Sequence, residues 1–531
     1  MITRRDLVLG SGAGLALAHL PLAGAFGQQP VKGGVLQMLL NVEPPSLLSA
    51  VNSSLWIACL STKMLEGLVR YGHDMKPVPG LAESWELGAD GRTLTFKLRK
   101  GVKWHDGAPF TSADVKFSLE EVWKKVHPRG RTVFAAVTGV DTPDETTATL
   151  KLSEPAPVIA SFLNSYEAQV IPRHIYGTGD ILQNPKLNAP IGTGPFMFKE
   201  WRKGQFVEMV RNPNYWDAGK PYLDGIIARM VPDATSRVAM FETGEVVYAP
   251  FSPAPASDVG RLKGNAKLVV ETKGYEFFGA SQVMEINTRV AALADPRVRK
   301  AIRHAIDSKF VAENIWFGLA EPQMGLLPKA SPFRAPDLEE LPASAAKANE
   351  LLDSAGLKRP AANQPRLALR LLHGQTGENL RTAEYVRQAL ARVGIEVKHE
   401  SADLGTFIRR IYTDRDFDLT INILFLSQDP TIGLQRFTNP TQSIKGAPFG
   451  NAGGYENKAA TEVWEAARRE PDPAKRTALF QQVQRLLWPD LPIINLVEPK
   501  FFTIAARRLV GHTKQADSAY DPFADVWLDK A

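Results

Sequence analysis

The stretch from Leu81 to Trp123, LAESWELGADGRTLTFKLRKGVKWHDGAPFTSADVKFSLEEVW, constrains the fold more than any other part of the chain. Thr93 to Arg99 alternates Leu94, Phe96 and Leu98 with Thr95, Lys97 and Arg99, the pattern of a half-buried strand. Ala89-Asp90-Gly91-Arg92 marks a turn before it and Asp106-Gly107 a turn after it. Thr111 and Asp114 stand at capping-box spacing, with Asp in place of the usual Glu or Gln. Val115, Leu119, Val122 and Trp123 then repeat as the apolar stripe of a helix. Strand, turn, strand, turn and capped helix follow one another with no slack.

The same punctuation continues downstream. Strands are expected at Gly34 to Leu40 and Thr147 to Leu152. Asp233 and Gly244 bracket a short helix as a cap pair. Asp295-Pro296 opens another, whose buried face is Val298, Ala301, Ile302, Ala305 and Ile306. Farther on, helices near 344–355 and 380–393 each end at a glycine and alternate with strands at 367–372 and 395–397. Phe417 to Phe425 is nearly all apolar, as for a strand covered on both faces, and Asp472-Pro473 opens a long helix. Alternation of this kind argues an α/β protein.

The first residues read as an export signal rather than as part of the fold. Arg4-Arg5 precedes an apolar run, and Ala23-Gly24-Ala25 is a small-x-small cleavage site. The paired arginines resemble a twin-arginine signal; an ordinary secretory signal is the alternative. The run is too rich in Gly and Ala for an anchor, which needs ~20 strongly apolar residues. The one cysteine, Cys59, excludes an internal disulfide and lies too far from the cleavage site to carry a lipid, so it is expected buried and inert. The protein is thus expected soluble in the periplasm.

Of 531 residues, 44% are hydrophobic and 23% charged, which is enough core for two or three domains. A formal net charge of +6 over this length gives no case for nucleic acid. The basic cluster Lys124, Lys125, His127, Arg129 and Arg131 is read as a solvated helix end and loop rather than an anion site. Nine histidines are scattered without H-E-x-x-H, and no P-loop or G-x-S-x-G elbow occurs. His105-Asp106 sits in a tight turn and is read as structural. No cofactor and no metal site is expected.

"LAESWE", "DGRTLTFKLRKGVKWHDGAPFTSADVKFS" and the segment from Gly192 to Tyr248 together resemble the family 5 extracytoplasmic solute-binding proteins, receptors of peptide, nickel and opine ABC importers. The resemblance implies an α/β, two-lobed periplasmic binding protein (type II) fold with an extra small α/β subdomain. Residues 1–25 would be the export signal; 31–71, 190–272 and 497–531 the first lobe; 72–189 an accessory subdomain; and 273–496 the second lobe. The chain would cross between lobes near Lys273–Phe278 and Ile493–Glu498, making a hinge. Partners would be a small-molecule solute and an ABC permease with its ATPase; a monomer is expected.

Candidate contacts follow. The resemblance places Glu43 on a loop entering the cleft; a surface acid is the alternative. Thr193 and Gly194 offer a hydroxyl and a close backbone approach, or simply a turn. Tyr275, Phe277 and Phe278 lie at the first crossing and would pack either solute or hinge. The loop after Phe425 carries Ser427, Gln428 and Asp429-Pro430. Peptide-binding relatives have Gly-Trp-x-x-Asp there, and that Asp grips an ammonium. Here the aligned positions, Leu426 or Ser427, are not acidic, and a buried ammonium without a partner charge costs several kcal/mol. A standard dipeptide is therefore disfavoured. Asp429 is a candidate contact or an N-cap, while Asn422, Ser427 and Gln428 would hydrogen-bond a neutral or anionic solute. Readings from other classes are a secreted hydrolase using cleft carboxylates and a chemosensory adaptor.

Overall fold

The computed structural model describes residues 29–360, 364–375, 377–426 and 429–530. The export segment, Ser427 and Gln428 lie outside the described residues.

Three larger sheets organise the chain. The first has seven strands, ordered Leu268–Glu271, Thr503–Ala506, Tyr248–Ala249, Val35–Leu40, Gly225–Met230, Phe206–Arg211 and Phe196–Arg202. Val35–Leu40 runs parallel to Gly225–Met230, with Val35 opposite Gly225. The second has six: Ala320–Pro322, Ile493–Pro499, Ala280–Ile286, Leu419–Phe425, Leu367–Gly374 and Ile395–Ala402. The third is an antiparallel four-stranded sheet of Ala82–Leu87, Thr93–Leu98, Thr147–Leu152 and Val137–Asp144. It shares one continuous apolar core with the seven-stranded sheet, so these two build the first lobe. The six-stranded sheet, with separate cores on its two faces, builds the second. The fold is a two-lobed α/β arrangement.

Local chemistry accounts for the elements. The Asp114 carboxylate accepts the Thr111 N–H at 2.9 Å and opens helix Ser112–Phe117, which runs on through a wider π turn, Ser118–Trp123. Val115, Leu119, Val122 and Trp123 are all fully buried, as their spacing predicts. Asp233 accepts the Ser236 N–H at 2.7 Å, and Gly244 ends that helix at φ 77°, in the left-handed region where a side chain is penalised. Leu419–Phe425 is a central strand, antiparallel to Ala280–Ile286 and parallel to Leu367–Gly374. Parallel pairing also extends Ile395–Ala402 well past the three residues the sequence pattern picks out, because it tracks Leu367–Gly374 along its whole length. Cys59 is buried on helix Leu55–Met64, and burial pushes its thiol up to about 12, so it is unreactive.

The chain passes from the first large sheet to the second between Glu271 and Ala280, and returns between Pro499 and Thr503. The return is later than the sequence suggests. Ile493–Pro499 is taken up entirely by the second sheet, paired with Ala280–Ile286 on one side and Ala320–Pro322 on the other. Among the described residues, no helix is long and apolar enough to cross a membrane.

Candidate ligand-binding site

Tyr275, on the first crossing, anchors both connections. Its hydroxyl accepts the Phe251 N–H at 2.8 Å and shares a 2.7 Å hydrogen bond with the Thr503 hydroxyl just after the return. Phe277 and Phe278 pack beside it, Phe277 against Tyr71 at 5.8 Å and Phe278 against Phe251 at 5.4 Å, centroid to centroid. Phe278 also meets Phe425 of the second lobe at 5.7 Å, and Phe425 meets Phe501 at 6.0 Å. Aromatic pairs in such tilted and edge-to-face arrangements are worth about 0.5–1.5 kcal/mol each beyond burial. Tyr275, Phe277 and Phe278 are buried, whereas Phe425 and Phe501 remain partly open. The aromatic cluster is therefore first a hinge packing, with the Phe425 and Phe501 rings at its open edge.

The loop after Phe425 is drawn inward. Gly433 lies so close to Leu426 that a Cβ there would stand 1.4 Å from the Leu426 carbonyl oxygen, so no side chain fits. Asp429 is fully buried, and its two oxygens receive Arg476 Nη1 at 2.6 Å and Nη2 at 3.0 Å. It also accepts the Thr431 N–H at 2.9 Å. This carboxylate is committed to an internal ion pair, which corrects its candidacy as a ligand contact: a buried acid needs a buried cation, and helix Pro473–Leu487 supplies one. Three residues on, Ile432 joins the apolar core of the first lobe, so this loop is where the second lobe touches the first.

Polar groups converge beside that contact. On the second lobe, Tyr412 donates to Glu285 at 2.9 Å, and the Asn422 amide also acts on Glu285. Burial pushes the Glu285 carboxyl up to about 7. Arg436, on the short helix Gln435–Thr438, donates to the Pro448 carbonyl at 3.0 Å. Burial lowers it to about 10, and Arg129 of the first lobe pushes the same way. On the first lobe, Arg129 grips Glu167 through Nε at 2.9 Å and Nη2 at 2.6 Å and lies over the Tyr166 ring at 5.1 Å. Burial opposes the Arg129 charge, but the Glu167 carboxylate outweighs it and holds the guanidinium more firmly protonated than usual. Next to it, His127 is fully buried, kept neutral by burial and used through Nδ1 to accept the Gly130 N–H at 3.0 Å.

The basic cluster is thus not a uniformly solvated end: Lys125 and Arg131 are exposed, but Arg129 and His127 turn inward. Arg436 had no sequence signal beyond a single charge inside Ile432-Gly433-Leu434-Gln435-Arg436-Phe437.

Other candidates are placed elsewhere. Glu43 accepts the Trp201 indole N–H at 3.1 Å and the Gly204 N–H at 2.9 Å, so it caps a hairpin turn of its own lobe. Thr193 is buried and donates to Glu66 at 2.9 Å, as do Tyr215 and Trp216. Gly194 lies against the Lys63 and Met64 carbonyls, where an added Cβ would stand at 2.7 Å. All three make these contacts within the first lobe, which agrees with the structural alternative for each. The structural reading of His105-Asp106 fits the geometry. His105 donates to the Gly194 carbonyl at 3.0 Å, while Asp106 faces His174 at 2.7 Å.

The two lobes also touch at their rim. Glu154, beyond the four-stranded sheet, receives Arg468 at 2.8 Å and Arg469 at 2.7 Å, both from helix Lys458–Arg469 of the second lobe. Beside Arg468 runs a small crevice lined by Val133, Ala136 and Val158 on one side and Thr431 and Ile432 on the other. Among the described residues, no group of three or more His, Cys, Asp or Glu is placed to hold a metal ion.

The family model described as Bacterial extracellular solute-binding proteins, family 5 Middle matches residues 76–444. A putative ABC transporter peptide-binding protein of Brucella ovis is 31% identical over 84% of this chain and 83% of its own length. The glutathione-binding protein GsiB of Salmonella choleraesuis is 28% identical over 86% of this chain and 87% of its own. Among solved structures, the periplasmic binding protein DppA from Helicobacter pylori, in complex with the peptide STSA, superposes with a TM-score of 0.79. It is 23% identical and covers 94% of this chain and 99% of its own. With more than half of its length matched by the family model, the chain belongs to the bacterial extracellular solute-binding proteins of family 5.

Proposed function

We propose that this protein is exported to the periplasm, captures a small organic solute between its lobes and hands it unchanged to the permease and ATPase of an ABC importer. The observation that carries this reading is the double crossing, pinned by Tyr275 to Phe251 and Thr503, between two separately cored lobes. A few residues there absorb a rotation while both lobes stay rigid. Closure is then favoured only when a solute fills the gap, because a ligand shifts the equilibrium by its differential affinity for the closed form.

In this reading the first lobe takes residues 31–71, 190–272 and the tail from 500, with 72–189 as its accessory part; the second takes 273–499. The cleft contacts are Asn422, Phe425, Arg129 and Arg436, together with Ser427 and Gln428 from the sequence. Tyr275 and Phe277 serve the hinge. Peptide-like compounds, glutathione, opines, sugars and chelates form the candidate set, since the curated relatives include peptide- and glutathione-binding proteins. The twin-arginine signal would carry the folded receptor, as a monomer, across the membrane.

The test combines two measurements on the full mature chain. Mass spectrometry of solute released on denaturation identifies what is held. Small-angle scattering with and without that solute then reads closure. A bound solute that leaves the envelope unchanged, or is chemically converted on incubation, overturns the receptor reading.

A further inference from the structure

Two histidines that the sequence scatters meet on the second lobe. His373 lies at the end of strand Leu367–Gly374, and His399 on the neighbouring parallel strand Ile395–Ala402, opposite Leu371. His373 Nε2 and His399 Nδ1 stand 3.2 Å apart while the ring centroids are 5.4 Å apart, so the rings turn these nitrogens toward each other. The outer nitrogen of each ring is engaged as well. His373 Nδ1 is 2.9 Å from the Gly374 carbonyl oxygen, and His399 Nε2 is 3.2 Å from Glu384 Oε2 on helix Gly377–Arg392. Glu384 is held as a carboxylate: Arg387 donates to it through Nε at 2.8 Å and Nη2 at 2.6 Å, and Gln388 donates at 2.7 Å. A carbonyl and a carboxylate can only accept, so the proton of a neutral His373 belongs on Nδ1 and that of a neutral His399 on Nε2. Three ring contacts then share two ring protons. The two nitrogens that face each other are both bare lone pairs, and a positive centre belongs between them.

We propose that His373 Nε2 and His399 Nδ1 bind a divalent metal ion of the zinc class, with water in its remaining positions. The distance fits. Two imidazole nitrogens on one tetrahedral Zn2+ at ~2.0–2.1 Å stand ~3.2–3.4 Å apart. A shared proton would make a charge-assisted hydrogen bond, which closes to ~2.7–2.9 Å. The surroundings fit too. Metal-bound histidines donate their other N–H to a carboxylate or a backbone carbonyl, which fixes the ring and its tautomer; Glu384 does this for His399 and Gly374 for His373. Imidazole suits Zn2+ and its late first-row neighbours, whereas Mg2+ and Ca2+ take oxygen. His373 is fully buried but His399 and Glu384 are partly solvated, so an ion enters from the His399 side. With two protein nitrogens the site is exchangeable rather than permanent. His373 is in register with Ile421, which packs into the helix-covered core, so the next residue, Asn422, faces the other side of the sheet. The ion is therefore separate from the solute cleft. It would pin Ile395–Ala402, the edge strand, to its neighbour and, through Glu384, to the helix.

The experiment uses the untagged mature chain, stripped with a chelator, with Zn2+ alone as the probe and Mg2+ as the contrast. Calorimetry should find a Zn2+ site that Mg2+ does not occupy, and Zn2+ should raise the melting temperature, because it binds the folded form. H373Q, H399Q and E384Q should each lower Zn2+ affinity about tenfold or more, although E384Q leaves both ligands in place. H399Q, on a partly solvated edge strand, should melt like the metal-free parent, so its loss of Zn2+ is not a loss of fold. In the Zn2+-bound protein, nitrogen NMR of labelled histidine should place the metal on Nε2 of His373 and Nδ1 of His399. Absence of Zn2+ binding, with the pair answering only to pH as a shared proton, overturns the site. So does an affinity unchanged in both H373Q and H399Q, or a metal found on the opposite ring nitrogens. None of these results touches the receptor reading.

Discussion

The Asp429 carboxylate and the Arg476 guanidinium form a two-point ion pair, 2.6 and 3.0 Å, sealed inside the second lobe. Removing one partner strands the other charge, so D429A should lower folding stability by about 3–5 kcal/mol. Replacing both together, Asp429→Leu with Arg476→Met, should cost much less. Urea unfolding midpoints of the three proteins check this. The ligand preference of whatever fraction of D429A remains folded should match the parent, since the pair lies behind the cleft wall.

Glu285 gives a pH signature. Burial raises its carboxyl from 4.5 in the unfolded chain to about 7 in the folded protein. The folded state therefore binds this proton more tightly than the unfolded state does. The associated stability is complete below pH about 4.5 and is lost as pH rises through about 7. Each tenfold difference in proton affinity between the two states is worth about 1.4 kcal/mol, so the loss amounts to a few kcal/mol. E285Q, which keeps a hydrogen-bonding side chain without the charge, should flatten stability between pH 5 and 8 and be the more stable protein at pH 8. Chemical denaturation across that range reads the difference.

Glu154 joins the lobes at the rim through Arg468 and Arg469. All three side chains are partly solvated, so the bridge is worth no more than about 1 kcal/mol. E154Q should leave folding unchanged but speed solute release about two- to fivefold, because the contact exists only when the lobes meet. Stopped-flow dissociation at low and high salt is the check: the parent should approach the variant as salt screens the bridge.

Gly433 is a steric requirement. A Cβ at this position meets the Leu426 carbonyl at 1.4 Å, and backbone rather than a movable side chain must give way. G433A should cost about 1–3 kcal/mol in stability and weaken solute binding, since the loop from 426 to 433 would be re-aimed. G446A, where an added Cβ meets nothing within 4 Å, serves as the comparison, with any loss coming from its φ of 85° alone.

Most of the architecture could be read in advance because it is written in local chemistry. Thr111 with Asp114, Asp233 with Gly244, and Asp295-Pro296 name helix ends through hydrogen bonds made within a few residues. The alternation in Thr93–Leu98 names a strand by its own pleat. The site was far less legible, because what decides a polar residue's role is a partner distant in sequence. Asp429 meets Arg476 across 47 positions, Thr193 meets Glu66 across 127, and Glu43 meets Trp201 across 158. Each looked available until its partner was seen. Arg436, which reaches the Pro448 carbonyl 12 positions away, is equally unannounced by its neighbours along the chain.

The Tyr275 hydroxyl ties the outgoing segment to Phe251 and to Thr503 on the incoming one, so the first lobe holds both connecting segments at the same place. Swivelling is thereby confined to one axis, with little freedom left for twist or slide. A guest is then always met by the opposite wall at a reproducible angle. Discrimination among guests of equal charge should accordingly fall on their width across the gap, far more than on their length along it.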